Sequence, residues 1–317
     1  MRLKHLDILR GVAAVMVALF HLEKSTLIPQ TTNYFEYGYT GVQIFFVISG
    51  FILPYSLYKS HYQIKHFGTF LIKRIVRIHP AYIAAILCGV ILTIITGREL
   101  SSVGGLFSQV LFVNSLFDQP FSSAVFWTLA IEFQFYILIS LLYPLLLSNS
   151  RSFLIVVLLS AVSVSVQSGA HIFKWMPFFG AGILIFNFRC TKMPGTAFCA
   201  ATIALITFIC LNSEVAQCTA ATFAILFILF AQFEKATILH QLFLFLGSVS
   251  YSLYLTHWDL GRMALRLTRH IPVIAKIPEI RLLLGLMFSV FFAWLFYIII
   301  EKPSAAFSAK LRYKKQA

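Results

Sequence analysis

The sequence has few charged residues and no long polar block. Only 11% of its 317 residues are Asp, Glu, Lys or Arg, whereas 59% are hydrophobic, and the mean hydropathy is +0.86. Soluble domains carry about 25% charged residues, so this composition excludes a protein whose main solvent is water. Because no polar linker separates the apolar segments, we interpret residues 1–317 as a single integral membrane domain, with residues 302–317 as a short basic cytoplasmic tail.

Cysteine is also scarce. The chain has five cysteines, and none of them forms a CxxC or similar pair. Short, regular spacings of this kind are what metal sites and disulfide frameworks show in a sequence. We therefore expect no metal and no disulfide framework, and we interpret the cysteines as buried thiols that fill space.

The chain does contain a series of long apolar runs. A membrane-spanning helix needs about 20 largely apolar residues, and ten runs approach this length. We predict an all-α, polytopic membrane bundle of about ten transmembrane helices. The predicted spans are 6–22, 41–58, 80–96, 123–147, 152–168, 172–188, 197–211, 216–232, 241–257 and 282–301.

The distribution of basic residues predicts the orientation. Cytoplasmic loops of membrane proteins are rich in Lys and Arg. If the N-terminus is cytoplasmic, 17 of the 25 basic residues fall in cytoplasmic segments, and an even number of spans returns the C-terminus to the same side. The net charge of +14 is then explained as a topology signal, so we expect no nucleic-acid partner.

The segment 258–281 departs from this pattern. It would lie outside the cell, yet it carries five basic residues: Arg262, Arg266, Arg269, Lys276 and Arg281. Either this segment binds something acidic on the outer side, or the last two predicted spans are misplaced.

Ionisable residues inside membrane spans are costly and are therefore functional candidates. Arg10 and His21 are eleven residues apart in the first span, which puts them on one helix face with a rise of roughly 16 Å. Two other interpretations stay open. Arg10 is also placed to anchor the helix end through Asp7, and His21 to sit at the membrane interface.

Two arginines precede the third predicted span. Arg74 and Arg77 are one helical turn apart, just before Pro80, a residue that suits the start of a helix. Paired guanidinium groups bind phosphate oxygens well. A simple positive-inside cluster is the alternative.

The later spans add further polar candidates. Glu132 follows Trp127 in the fourth span, and a lone carboxylate there should have a cationic partner or a raised pKa. The ninth span ends with Tyr254 and His257, and the tenth with Glu301. Tyr254 also suits a membrane-interface belt, and Glu301 a solvated helix end. The small residues Ser49 and Gly50 of the second span indicate packing rather than chemistry.

Three titratable residues fall at the same predicted depth. His21, Glu132 and His257 each lie about 20–24 Å from the cytoplasmic ends of their spans, at 1.5 Å per residue. Three helices could therefore bring them together as an acid/base site near the outer side.

Six segments in this order resemble the membrane acyltransferase-3 family: RGVAAVMVALFH, GVQIFFVISGF, RIVRIHP, WTLAIEFQFY, SYSLYLTH and EKP. The resemblance implies an enzyme in the cytoplasmic membrane of a bacterium. Such an enzyme moves an acyl group, most often acetyl, from cytosolic acyl-CoA to a hydroxyl, typically on a surface carbohydrate or its lipid-linked precursor. Other members acylate lipids, antibiotics or peptidoglycan, and some carry an additional hydrolase-like domain.

Residue by residue, the resemblance matches the family's first-span arginine and histidine to Arg10 and His21, its arginine pair to Arg74 and Arg77, and its fourth-span tryptophan and glutamate to Trp127 and Glu132. We predict that His21 and Glu132 are catalytic and that Arg10, Arg74 and Arg77 bind acyl-CoA. The remaining candidates are Trp127, Tyr254, His257 and Glu301. The expected partners are acyl-CoA as co-substrate, a carbohydrate or lipid-linked sugar acceptor, and membrane lipid, with no permanently bound cofactor and no metal.

The resulting hypothesis places the phosphates of acyl-CoA on the arginines and its thioester at His21. His21 would act as general base, or carry a transient acyl group, with Glu132 orienting it in the manner of a catalytic triad. The alternative is a non-enzymatic transporter or flippase for a lipid-linked sugar. The matched halves typical of transporters are not evident in the sequence.

Overall fold

The computed structural model describes residues 3–25, 33–97, 99–148, 153–166, 171–191, 193–232, 237–311 and 313. Within these ranges every regular element is helical and there is no strand, so the predicted all-α class is confirmed. The helices are α1 Lys4–Ser25, α2 Gly41–Lys59, α3 Phe67–Ile95, α4 Val103–Val110, α5 Trp127–Ser148, α6 Phe153–Val162, α7 Ile172–Cys190, α8 Gly195–Asn212, α9 Val215–Phe230, α10 Ile238–Ser248, α11 Ser250–Thr256, α12 Arg262–Thr268, α13 Pro272–Ala275, α14 Pro278–Phe296 and α15 Lys302–Lys310.

Helices occupy all ten predicted segments, but fewer of them qualify as spans. Among the described residues, six helices are long and apolar enough to cross a membrane. A seventh span is formed if the bent pair Ile238–Ser248 and Ser250–Thr268, which turns by 58°, counts as one. The figure of ten spans and the orientation of the termini therefore stay predictions.

Glycines allow a close contact between α2 and α7. A Cβ on Gly50 would lie 2.0 Å from the Phe179 carbonyl oxygen, and one on Gly182 would lie 2.1 Å from the Val47 carbonyl oxygen. Such close backbone approach is possible only between residues with little or no side chain. The predicted packing role of Gly50 agrees with this contact.

A second cluster of small residues places the candidate side chains of α1. Gly247 of α10 lies against Asp7, where an added Cβ would come 2.0 Å from the Asp7 carbonyl oxygen. Beyond that contact, Ala14 of α1 packs with Leu253 of α11 and Ala293 of α14. Helices α11 and α14 therefore run beside α1, which carries Arg10 near its start and His21 near its end. We call these two ends of the bundle the Arg10 side and the His21 side.

Two π-helical turns interrupt this part of the bundle. One covers His257–Gly261 after α11 and the other Tyr297–Glu301 after α14. A π-helical turn inserts an extra residue per turn and re-aims the side chains around it, and such turns are frequent at functional sites. Both turns hold a candidate site residue, His257 in the first and Glu301 in the second.

Several boundaries correct the sequence predictions. Helix α3 begins at Phe67, so Pro80 lies inside it rather than at its start. Helix α14 begins at Pro278, so Arg281 belongs to a buried helix face rather than to a loop. Part of the predicted tail, Lys302–Lys310, forms α15 and packs on α3, where Ser308 Oγ donates to the Lys73 carbonyl oxygen at 2.8 Å. Arg312 and residues 314–317 lie outside the described residues.

The prediction that the cysteines are buried thiols is wrong: two of them form a disulfide, and of the free ones Cys199 is exposed while Cys88 and Cys190 are half-buried. The disulfide joins Cys210 of α8 to Cys218 of α9. The two partners are eight residues apart across a tight turn between antiparallel helices, a spacing that no cysteine motif marks. Glu214 in this turn accepts a hydrogen bond from Tyr39, which places the disulfide on the His21 side.

Candidate functional site

Most of the candidate residues line one of two cavities, which lie toward opposite ends of α1. The larger, of about 700 Å³, reaches the Arg10 side at Leu3, Lys59 and Ser60. We call it the arginine cavity. The smaller, of about 520 Å³, lies on the His21 side, and we call it the histidine pocket.

Three arginines face the arginine cavity, as the sequence predicts. Arg10 comes from α1, and Arg74 and Arg77 come from successive turns of α3. The guanidinium of Arg74 lies over the rings of Phe70 and Tyr136, at 5.2 and 5.6 Å from their centroids. Arg77 is enclosed by protein on most sides but stays accessible to solvent because it faces the cavity.

Three carboxylates line the same cavity, those of Asp7, Glu132 and Glu301. Glu132 accepts hydrogen bonds from Tyr136 at 2.8 Å and from Ser49 at 3.3 Å, and it interacts electrostatically with Arg77. Arg77 is therefore a cation that acts on Glu132, as expected for a carboxylate in a membrane span. The interpretation of Ser49 as a packing residue is incomplete, because its hydroxyl donates to a candidate catalytic group.

Glu301 is a fixed part of the cavity rather than a solvated helix end. Its carboxylate accepts from both the hydroxyl and the backbone N–H of Ser252, at 2.6 and 3.2 Å. Arg10 and Arg77 act on it electrostatically. The sequence does not reveal Ser252 as its partner, since the contact depends on the π-helical turn that precedes α15.

Two histidines form a direct pair at the end of α1. His21 Nδ1 lies 2.9 Å from His257 Nε2, and the two rings stack with centroids 5.2 Å apart. His257 is fully buried, and its Nδ1 lies 2.9 Å from the Leu253 carbonyl oxygen. The predicted meeting of His21 and His257 at one depth is therefore confirmed.

The hydrogen bonds of this pair fix the position of each ring proton. A carbonyl oxygen only accepts hydrogen bonds, so Nδ1 of neutral His257 carries its hydrogen and Nε2 of that ring is an acceptor. His21 Nδ1 must then donate to His257. This leaves a free lone pair on His21 Nε2, the atom that a general base needs. The ring of His21 faces the histidine pocket.

The third expected member, Glu132, does not join the histidines. Among the described residues it hydrogen-bonds to Ser49 and Tyr136, and it faces the arginine cavity. Equal depth along the membrane normal says nothing about lateral position, and α5 packs against α2, α3 and α7. The described contacts do not support a role for Glu132 in orienting His21, because the hydrogen-bonding partner of His21 is His257.

Tyr254 lies between the two cavities. Its hydroxyl is 2.7 Å from the Thr128 hydroxyl at the end of the arginine cavity. Its ring meets the rings of Phe45 at 5.7 Å and of His257 at 5.9 Å. A group that reaches the end of the arginine cavity is therefore one side chain away from the histidine pair.

Trp127 lines neither cavity; its ring packs against Trp175 at 5.1 Å. The described residues also contain no group of three His, Cys, Asp or Glu side chains that could hold a metal ion.

Comparison with known proteins supplies a family and two relatives. A family model described as an acyltransferase domain matches residues 3–299. "Putative acetyltransferase ORF330" of Acidianus two-tailed virus is 33% identical over 150 residues, which cover 47% of this chain and 43% of that protein. "Putative peptidoglycan O-acetyltransferase YrhL" of Bacillus subtilis (strain 168) is 31% identical over 184 residues, covering 51% of this chain and 28% of that protein. The chain thus spans less than half the length of these curated relatives, and no solved structure gives a significant match.

Proposed function

The chain belongs to the acyltransferase-3 family of membrane proteins, and from this membership we propose that it transfers an acyl group, acetyl above all, from cytosolic acyl-CoA to a carbohydrate hydroxyl. That it is an acyltransferase follows from the family and from the names of its relatives. This membership argues against the transporter alternative. The carbohydrate acceptor rests on the Bacillus subtilis relative, whose name specifies peptidoglycan. A bacterial cytoplasmic membrane is the proposed location.

The arginine cavity is the proposed site of the acyl-CoA. Its volume lies within the range of about 300–1,000 Å³ that is usual for small-molecule sites. Its walls combine Arg10, Arg74 and Arg77 with apolar side chains such as Ile52 and Leu53. Guanidinium groups suit the phosphates of CoA, and the apolar wall suits its pantetheine arm.

The charges in this cavity are nearly balanced, and this separates the roles of the arginines. Glu301 acts on Arg10 and Arg77, and Glu132 acts on Arg77. Arg74 instead lies over two aromatic rings. We therefore assign the principal phosphate contact to Arg74, while Arg77 and Arg10, whose charges are partly offset by the carboxylates, contribute less.

The proposed chemistry takes place at His21. The acceptor hydroxyl loses its proton to His21 Nε2, and its oxygen bonds to the thioester carbonyl carbon. The bond between that carbon and the CoA sulfur then breaks, and the proton held by His21 neutralises the departing thiolate. His257 is the positioning residue, since its bond to the Leu253 carbonyl oxygen holds His21 in the required tautomer.

The observation that carries this proposal is the hydrogen-bonded pair of His21 and His257. The direct test has two parts. Labelled acetyl-CoA is supplied to sealed membrane vesicles that contain the protein, and the glycans of cells with and without the gene are compared by mass spectrometry. We expect acetyl esters that depend on the gene and carry label from acetyl-CoA. Glycans acetylated equally in both strains, with no labelled product in vesicles, would refute the proposal.

A further inference from the structure

The histidine pocket has a marked charge. Its described lining includes four cationic side chains and no carboxylate. These cations are Lys24 from the end of α1, and Arg262, Arg266 and Arg269 from α12 and the residue after it. The floor of the pocket holds His21, the proposed general base.

The three arginines share one face of their helix. They follow each other at spacings of four and three residues, which places them above one another on consecutive turns. Like charges at this spacing destabilise a helix by a few tenths of a kcal/mol, so the arrangement is not explained by the stability of α12. It is also unfavourable for the predicted orientation, because it puts positive charge on the outer side.

The other two basic residues of the segment 258–281 are placed differently. Arg281 is buried, and its guanidinium donates to the Leu265 carbonyl oxygen at 3.1 Å and to Thr268 Oγ1 at 3.4 Å. Lys276 is exposed and does not line the pocket. The segment therefore contains one structural arginine, one solvated lysine, and three arginines that line the same pocket as His21.

Aromatic rings complete the pocket. Trp258 lies edge-on to His21 with ring centroids 5.0 Å apart, and the guanidinium of Arg262 lies 4.5 Å from the centroid of Trp258. Lys24 lies 4.4 Å from the ring centroid of Phe20. Arg262 has further interactions of its own, so the cations proposed to meet an acceptor are Arg266, Arg269 and Lys24. Aromatic faces suit the apolar faces of sugar rings, and guanidinium groups suit carboxylate or phosphate.

We infer that the histidine pocket binds the acceptor, and that the acceptor is an anionic sugar with a carboxylate or phosphate close to the hydroxyl that is acylated. This inference rests on the proposed function, because it takes His21 as the base that receives the hydroxyl proton. A neutral sugar offers no anionic group to Lys24, Arg266 and Arg269, whereas ammonium and guanidinium groups bind carboxylate and phosphate well. An anionic sugar pairs with them and is thereby oriented toward His21.

The test measures sugar binding directly, without acyl-CoA. Full-length protein in nanodiscs of zwitterionic lipid is titrated with three matched oligosaccharides: neutral, carboxylate-bearing and phosphate-bearing. We expect one or both anionic probes to bind at least tenfold more tightly than the neutral one, and the preference between the two identifies the anion. Binding should weaken as salt rises.

Substitutions locate the effect. Arg266→Gln and Arg269→Gln should each weaken binding of the preferred anionic probe about tenfold, with little change for the neutral probe. Lys276→Gln, the control in the same segment, should leave all three affinities within twofold. Thermal melting of each variant, followed by near-UV circular dichroism or intrinsic fluorescence, verifies that it is folded. If either arginine variant fails to fold, Lys24→Gln provides an independent variant from α1.

The outcomes are decisive in both directions. Equal affinity for neutral and anionic sugars, or equal weakening by Lys276→Gln, would overturn the inference. Loss of the anionic preference in nanodiscs that contain phosphatidylglycerol would also overturn it, and would assign the cations to lipid headgroups. Failure of the proposed function has a different signature, because acetyl-CoA would then neither bind nor donate its acyl group, whatever the sugar affinities.

Discussion

Arg74 differs from the other arginines of the cavity in its surroundings. Its guanidinium rests on the rings of Phe70 and Tyr136, whereas carboxylates act on Arg10 and Arg77. An arginine stacked on aromatic rings keeps its hydrogen-bond donors available at the edge of the guanidinium plane. Arg74 is therefore the arginine best placed to bind phosphate, whereas Arg10 and Arg77 interact with carboxylates of the cavity.

Arg74→Ala should weaken acyl-CoA binding by about tenfold or more, since a charge-assisted contact with phosphate is lost. Arg74→Lys should recover only part of the affinity, because a lysine lacks the planar fork and the stacking. Isothermal titration of acetyl-CoA into detergent-solubilised protein measures both. Lys65→Ala, an exposed residue of the turn before α3, is the control. Unchanged acyl-CoA affinity in Arg74→Ala would contradict the phosphate-binding role and would leave the arginines as a positive-inside cluster that sets the membrane orientation.

The spacing of residues along predicted helices was enough to place some of the site residues and not others. The shared face of Arg10 and His21 follows from their spacing along one helix, and the depth of His257 followed from the same geometry. Glu132 has a matching depth but a different lateral position, which depends on which helices pack against α5. The bond between Ser252 and Glu301 depends on a π-helical turn that no sequence pattern marks.

At the scale of elements, the contact between α2 and α7 holds the side of the bundle that faces the arginine cavity. Helix α7 is deeply enclosed, and its residues from Met176 to Asn187 are all buried. The contact depends on Gly50 and Gly182, where the two backbones meet. The sequence indicates close packing by small residues at Gly50 but does not say which helix is the partner.

Gly50→Ala should destabilise the protein markedly, because the new methyl group would lie 2.0 Å from the Phe179 carbonyl oxygen. Overpacking of this kind costs about 1–3 kcal/mol or more, so we expect a lower melting temperature and less protein in the membrane. Gly68→Ala on α3, where an added Cβ meets nothing within 4 Å, is the matched control and should be neutral or slightly stabilising. Equal melting temperatures for the two variants would contradict the described α2–α7 contact.

At the scale of the whole molecule, the two cavities lie at opposite ends of α1 with Tyr254 and the histidine pair between them. The account requires the arginine cavity to face the cytosol, where acyl-CoA is found, and the histidine pocket to face outward. The disulfide between Cys210 and Cys218 lies on the His21 side. Disulfides persist in oxidising compartments outside the cytosol, which agrees with this orientation.

Reporter fusions test the orientation. Fusions at the turn between α2 and α3, residues 60–66, and after α15 should report a cytoplasmic location, whereas a fusion in the turn at Ser213 should report the outside. In intact cells, Cys210 and Cys218 should react with a membrane-impermeant thiol reagent only after reduction. An outside location for the α2–α3 turn would place the arginines away from acyl-CoA and would contradict the proposed division of the cavities.

The separation of donor binding from chemistry is the central claim, and His21→Gln tests it most directly. Glutamine keeps a hydrogen-bonding side chain but does not take up a proton, and a general base contributes about 10²–10⁴-fold to the rate. The rate of acetyl transfer and the dissociation constant of acetyl-CoA are measured on the same preparation. The control is His270→Gln, which replaces an exposed histidine on the His21 side. The account predicts a rate at least 100-fold lower in His21→Gln, with the acetyl-CoA affinity within about threefold of the unaltered protein. A loss of rate below tenfold would contradict it, as would a loss of acetyl-CoA affinity that matches the loss of rate.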